Sequence, residues 1–289
     1  MEQDYQKKLY SQLLEQIQSK DHYDSNLKQF LKQLSVGIEQ ESLLNLISLQ
    51  LDNKSVYFIR HAESKYNQWR EQSSLNWSIF YKNTLENIDP ELTEKGQQQT
   101  KNLQLSVLKE YENLTFDAVY VSPLSRAINT FGYLAYKENN EIIYQFKFAK
   151  VLACHYLRER LDTCGDIGKS LEVVKEGLCK KWNIDSCMIN SDQWWCHKQF
   201  DNQKQGEMFK QKTEDFDKIQ RRLIIILLMI IFSDDKYICL VSHSNIYKCL
   251  KLKNQFQSHD IKNAQMKILD KQAIMKFLTK TIPKHIYQK

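Results

Sequence analysis

No stretch of this sequence is apolar for long enough to cross a bilayer as a helix. The longest run, Leu223 to Phe232, is about half the ~20 residues that a spanning helix needs, so it is expected to form a buried core helix. The N-terminal residues are polar and lack the apolar core of a signal peptide. These two absences give the expectation of a cytoplasmic protein without a membrane partner. None of the seven cysteines is paired with another as C-x-x-C, and an odd number in a chain of this length argues for reduced thiols rather than a disulfide framework. Cys187, Cys196 and His197 have no fourth ligand at zinc-site spacing, so scattered side chains rather than a metal site are expected. There is no dense Lys/Arg block and no basic stripe with interleaved aromatics, so the net charge of +6 excludes no anionic substrate but does not amount to a nucleic-acid footprint. Nothing matches G-x-x-x-x-G-K-S/T or a Gly-rich nucleotide fingerprint, so no nucleotide cofactor is implied. Internal repeats and low-complexity blocks are absent as well.

What is present is the composition of a soluble globular protein, 42% hydrophobic and 26% charged, in a chain large enough for one large domain or two small ones. Residues 1 to about 52 look helical. Leu27, Phe30, Leu31, Leu34 and Ile38 recur on one helical face, with Leu43, Leu44, Ile47 and Leu51 continuing in the same style. Ser25 is a candidate cap for the second helix. The expectation is a pair of helices packed on the domain behind them, with a partner-binding or oligomerising arm as the alternative, dividing the chain into a helical extension over 1–52 and a main domain over 53–289.

Within that domain, Ser55 to Ile59 is a β-branched and aromatic run that ends abruptly at Arg60-His61-Ala62-Glu63-Ser64. It reads as a buried strand delivering its C-terminal end into a site, where open α/β sheets bind ligands. Arginine offers forked donors to phosphate oxygens, and a neutral imidazole can attack phosphorus. Next, Asp89-Pro90 favours a turn and Thr93 is a plausible N-cap, predicting a helix to about Tyr111, with Gly96 in its first turn marking a close backbone contact.

Phe116 to Val121 predicts a second strand, ending in Ser122-Pro123-Leu124-Ser125-Arg126 and so delivering an arginine to a strand-to-helix junction. Gln145 to Val151 reads as another strand. The irregular stretch from Gly165 to about Lys212, with Trp182, Trp194 and Trp195, reads as a lid or substrate-facing insertion. A long helix is expected from Glu207 to Phe232. Tyr237 to Val241 is a further strand that brings His243 to its C-terminal end, and Ala264 to Leu269 forms one more. Strands alternating with helices predict a mainly parallel sheet covered on both faces.

Arg60-His61-x-Glu63-Ser64-x-x-Asn67, Asp89-Pro90-x-Leu92-Thr93-x-x-Gly96-x-x-Gln99, Ser122-Pro123-Leu124-x-Arg126-Ala127, Leu157-Arg158-Glu159 and Val241-Ser242-His243 resemble the successive motifs of the histidine phosphatase superfamily, in its phosphoglycerate mutase-like branch. They occur in the family's order across roughly residues 54 to 270. The resemblance implies a three-layer α/β/α fold, phosphoglycerate mutase-like, carrying the N-terminal helical extension. It also implies roles. His61 would be the nucleophile that becomes a phosphohistidine. Arg60, Arg126 and His243 would surround the phosphoryl oxygens and stabilise the transition state, with Asn67 as a further donor. Glu159 would protonate the leaving oxygen and then activate water; Glu63 and Glu207 remain open for that role. In such a scheme the cationic and donor groups do the electrostatic work, so neither metal nor cofactor is required. Ala62 and Ser244 stand where the family often has Gly, at positions where backbone N–H groups approach the phosphate, and would narrow the pocket there.

The expected function is a metal-independent phosphatase, a phosphoric monoester hydrolase of the histidine acid type, acting on a small phosphorylated metabolite or a phosphoprotein. Two alternatives stand beside it. One is phosphoglycerate mutase-type phosphoryl transfer, and the other is a catalytically weak phosphate-binding or scaffold protein of the same fold. The physiological substrate and the oligomeric state are not encoded in any motif.

Overall fold

The computed structural model describes residues 2–17, 25–72, 87–111, 114–136, 147–189, 191–192, 194–195, 213–252 and 261–287. Among them, three helices come first: α1 (Glu2–Ile17), α2 (Ser25–Val36) and α3 (Gln40–Leu51). Then follow β1 (Ser55–Arg60), α4 (Lys65–Gln72), α5 (Glu94–Glu110), β2 (Thr115–Val121), α6 (Ser125–Ala135), β3 (Lys147–Cys154) and β4 (Asp185–Met188). The chain continues with α7 (Phe216–Phe232), β5 (Tyr237–Ser242), α8 (Ser244–Leu250), β6 (Met266–Ile268) and α9 (Lys271–Ile282). The strands form one sheet in the order β4-β3-β2-β5-β1-β6. Every pairing is parallel except that of β6 with β1.

The strands place two apolar faces on two helical layers. Successive side chains of a strand point to opposite sides. Val56, Phe58, Ala118, Tyr120, Ile238 and Leu240 belong to one core cluster, and Tyr57, Ile59, Val119, Val121, Cys239 and Val241 to the other. The first cluster is completed by α7, α9 and the N-terminal helices, the second by α5, α6, Trp182 and Trp194. The result is the expected α/β/α sandwich with a mainly parallel sheet.

The first 52 residues fold as three described helices rather than two. Gly37, at φ +90°, ends α2, and its N–H bonds back to Leu34 O at 3.3 Å; a left-handed residue just past a helix is the usual stop. Ser25, taken as a cap, is the first residue of α2. These helices explain why α7 is apolar all round. From Leu223 to Phe232 every residue is buried; one side faces the sheet and α1, α2 and α3 contact the helix from without. A helix without a polar face must be covered on all sides. Phe30 stacks on Phe232 with ring centroids 3.9 Å apart and is almost fully buried. Phe30→Ala should lower stability by about 3–5 kcal/mol, read as a shifted urea midpoint; an unchanged midpoint would mean that the helices lie loosely on α7.

Two expectations are corrected. The long helix begins at Phe216, after Asp215 in extended backbone; the Glu214 N–H before it bonds to Leu161 O at 2.8 Å rather than within a helix, and its carboxylate meets Arg158 and Arg222. Residues 207–212 lie outside the described residues. Nor is the tryptophan-bearing stretch a lid where it is described. Its residues 171–181 are helical, β4 is the edge strand of the sheet, and Trp182 and Trp194 are buried in the core. Indoles placed without helical or strand periodicity conceal that packing in the sequence. Residues 196–212 of the stretch, Cys196 and His197 included, lie outside the described residues, as do 73–86. No described helix is long and apolar enough to cross a membrane.

Candidate active site

Three parallel strands end side by side at the site. β1 delivers Arg60 and His61, β5 delivers His243, and the loop after β2 leads into α6 with Arg126. Parallel pairing runs to the very end of β1: the His61 N–H bonds to Ser242 O at 2.9 Å, and the Ser122 N–H to Val241 O at 2.9 Å.

The loop after His61 is tied down from several sides. The Glu63 N–H donates to Gln99 Oε1 at 2.9 Å, the Thr93 N–H to Glu63 O at 3.0 Å, and the Thr93 hydroxyl to Glu63 Oε1 at 2.9 Å. Thr93 also caps α5, accepting from the Gly96 N–H at 2.9 Å. A Cβ at Gly96 would collide with the carbonyl oxygen of Glu63, which is the close backbone contact expected there. The motif from Leu92 to Gln99 is thus a clamp on the His61 loop. Asp89 anchors the other side, accepting from the Ser125 N–H at 2.8 Å and the Ser125 hydroxyl at 2.7 Å at the start of α6. Burial pushes its carboxyl up to about 6, against the pull of Ser125 and Arg126.

His61 Nδ1 lies 2.7 Å from Ala62 O. A carbonyl oxygen can only accept, so Nδ1 carries the proton and the neutral ring keeps its lone pair on Nε2. Burial, and then the charges of Arg126 and Arg60, hold the pKa of His61 well below the usual histidine range. His243 lies with its ring centroid 5.0 Å from that of His61, and its Nε2 is 2.7 Å from the Ser122 hydroxyl. Burial and Arg126 depress it as well. Five buried side-chain atoms among the described residues have no hydrogen-bond partner; two of them, His243 Nδ1 and Arg60 Nε, belong to this site. Such groups are costly unless something meets them.

Arg60 donates to Ile261 O at 3.0 Å. Burial draws its guanidinium down to about 10, so it remains charged at neutral pH. Arg126 donates to Gly165 O at 2.6 Å and to Asp166 Oδ1 at 3.0 Å. Asp166 in turn accepts the Thr163 N–H and hydroxyl at 3.1 and 2.9 Å through its other oxygen. Glu159 is buried, and its Oε1 accepts the Arg160 N–H at 2.8 Å. Burial first, and then the charge of Asp166, push the Glu159 carboxyl up to about 7. The site therefore joins a histidine that resists protonation to a carboxyl that resists ionisation, beside two arginines.

Arg60, His61, Asn67, Arg126 and Glu159 line one cavity of about 230 Å³. His243 is fully buried beside His61. Asn67 takes part through oriented contacts: its Oδ1 accepts from the Ser64 N–H at 3.2 Å and the Ser64 hydroxyl at 3.1 Å, which turns its amide nitrogen the other way. Glu63 is occupied by Thr93 and by Lys95 at 2.7 Å and does not line the cavity; Glu207 lies outside the described residues. The reading of Ala62 needs correction. Its N–H is spent on Thr130 Oγ1 at 2.9 Å, so it is not a phosphate donor; the threonine hydroxyl, one turn beyond Arg126, takes it. Ser244 does line the cavity.

Sequence reasoning missed Tyr66, Arg70, Asp166 and Lys248, which share the cavity wall. The only signal for Asp166 was its place after Gly165, and for Lys248 its position one turn into the helix that follows His243.

Residues 56–149 match the family model described as the histidine phosphatase superfamily, branch 1. The family that the chain resembles is therefore the histidine phosphatases. The matched segment carries Arg60, His61, Asn67, the Leu92–Gln99 clamp and Arg126, whereas Glu159 and His243 lie beyond it. No curated protein sequence matches the chain. Among solved structures, a phosphoglycerate mutase from Bacillus anthracis is 17% identical, covering 79% of this chain and 96% of its own, with a TM-score of 0.41. The ecdysone phosphate phosphatase of Bombix mori, in complex with tungstate, is 14% identical and covers 75% and 89%, with a TM-score of 0.41. A phosphoglycerate mutase from Thermus thermophilus is 12% identical and covers 75% and 92%, with a TM-score of 0.38.

Proposed function

We propose that this histidine phosphatase-like protein hydrolyses phosphomonoesters through a phosphohistidine on His61. The observation that carries the reading is the tautomer of His61: with Nδ1–H held by Ala62 O, Nε2 is the nucleophilic atom, and it sits in one cavity with Arg60, Arg126 and Glu159. Nε2 attacks phosphorus, the bond from phosphorus to the ester oxygen breaks, and the Glu159 proton goes to that oxygen. The alcohol leaves. Glu159, now a carboxylate, takes a proton from water as the water oxygen attacks phosphorus; the phosphorus–nitrogen bond breaks and returns its electrons to His61. Throughout, Arg60, Arg126 and His243 face the negative charge of the equatorial oxygens, and Asn67 adds its amide donor. The substrate is a small phosphorylated metabolite or a phosphoprotein, and the protein works in the cytoplasm.

The pH dependence follows from the two shifted groups. Glu159 acts in its protonated form, which is lost as pH rises through about 7. His61 acts in its neutral form, which is lost only well below the ordinary histidine range. For an alkyl phosphate, kcat/KM should stay high at mildly acidic pH and fall above about pH 7, since that parameter reports the free enzyme's groups. Glu159→Gln should lower the rate by about 10²–10⁴-fold and erase the alkaline fall. Phosphate release measured across pH checks both; an alkaline limb that survives in Glu159→Gln assigns the acid to another group.

A further inference from the structure

Arg222 is a charged residue within the most apolar helix of the protein, almost fully buried, and the chemistry above makes no use of it. Its guanidinium faces the segment that carries Glu159. One terminal nitrogen donates to Tyr156 O at 2.6 Å and Arg158 O at 2.8 Å; the other donates to Glu159 O at 3.3 Å. The Arg222 guanidinium is held in turn by Glu214, through Nε to Oε1 at 3.3 Å and Nη2 to Oε2 at 3.2 Å. Glu214 also takes Arg158 at 2.9 Å and the Leu161 N–H at 3.2 Å, and its own N–H donates to Leu161 O at 2.8 Å. The carbonyl of Glu214 accepts Arg160 Nε at 2.8 Å.

The backbone on both sides of Glu159 is thus stitched to α7 and the residue pair before it by one arginine and one carboxylate. Residues 158–160 have no helix or strand of their own; the Glu159 carboxyl is tied to the Arg160 N–H, so its direction follows that of the backbone that Arg222 and Glu214 hold. A buried ion pair adds little stability over an apolar pair of the same shape, because desolvation offsets the attraction. Apolar side chains, however, could not hold three carbonyls in register. Catalytic groups must be held to within about 0.5 Å by the shell behind them.

We infer that Arg222 and Glu214 are positioning residues that fix the loop bearing Glu159 and so present its carboxyl to the leaving-group oxygen. The inference rests on the reading of Glu159 as the acid. It separates leaving groups: an aryl phosphate expels a stable phenolate with little protonation, whereas an alkyl phosphate needs the acid.

The test compares kcat/KM for p-nitrophenyl phosphate and for an alkyl phosphate such as glycerol 2-phosphate in wild type, Arg222→Lys and Glu159→Gln. The ratio of the two substrates within one preparation does not depend on how much of it is folded. Arg222→Lys keeps the charge but loses the planar fork. It should lose at least tenfold more activity on the alkyl than on the aryl ester, in the direction of Glu159→Gln. Equal losses on both esters, with Glu159→Gln still selective, overturn the brace alone. A Glu159→Gln protein without selectivity removes the acid assignment and the brace with it. Glu214→Gln, which keeps an oxygen for both arginines, gives the same comparison where Arg222→Lys does not fold; preferential loss on the alkyl ester supports the brace and an unchanged ratio refutes it.

Discussion

His61→Ala should lower kcat for any phosphomonoester by at least about 10⁴-fold, since removing the nucleophile of a covalent mechanism leaves only binding and electrostatics to catalyse. The fold should survive the change. His61 is buried, but its backbone contacts, N–H to Ser242 O and carbonyl from Asn263 Nδ2 at 2.9 Å, do not involve the ring. Removing the imidazole also takes away a group that burial keeps neutral, so no charge is left uncompensated. The check is steady-state release of phosphate from an aryl ester in the presence of a chelator, with the thermal midpoint measured alongside. Activity within tenfold of wild type in a folded His61→Ala protein would remove the nucleophile assignment.

Arg126 should be the next most sensitive position. It lies at the start of α6, where the free backbone N–H groups add to a positive potential, and its side chain is aimed by Asp166 and Gly165 O. Arg126→Lys is expected to cost about 10²–10³-fold in kcat, because one ammonium cannot bond Asp166 and Gly165 O and still offer paired donors to a phosphoryl group. Ground-state binding should suffer less, because the charge itself is retained. Asp166→Asn should follow in the same direction with a smaller loss, since the guanidinium would keep its charge and lose its orientation. Both are read from kcat and KM separately; a change confined to KM would show that Arg126 binds substrate without favouring the transition state.

How much of this was legible in the sequence depended on whether a residue's role was local. Arg60 and His61 stood out because a run of β-branched and aromatic residues stopped abruptly at charge, and a strand end is where an α/β sheet presents its ligand groups. Thr93 was legible as a cap because it acts within one turn, and Gly96 as a close contact because a glycine in the first turn of a helix costs stability unless something approaches it, here the Glu63 carbonyl. Asp166 was not. Its carboxylate matters because it meets Arg126 forty residues earlier in the chain, and no spacing rule links the two. Arg222 was concealed by its setting, the second of two adjacent arginines at the head of an apolar run that reads as a core helix. Over its described residues, the tryptophan-bearing stretch was misread as a lid because β4 is a four-residue edge strand too short to show alternation. The three-helix N-terminus was read as two because the break at Gly37 interrupts a hydrophobic pattern that otherwise continues in style. For Asp166 and Arg222 the missing information was a contact between distant segments; for β4 and the Gly37 break it was the shortness of the local signal.

The most direct test of the account is to mix the protein with substrate, quench within the first turnover, and search for a phosphoryl group on the protein. The account predicts a phosphoryl adduct that is labile to acid and stable to base, that maps to His61, and that is absent from His61→Ala. It should persist longer in Glu159→Gln, where water attack on the phosphoenzyme is slowed. Turnover of substrate by wild type with no protein-bound phosphate at any quench time, or an adduct that remains in His61→Ala, would contradict it.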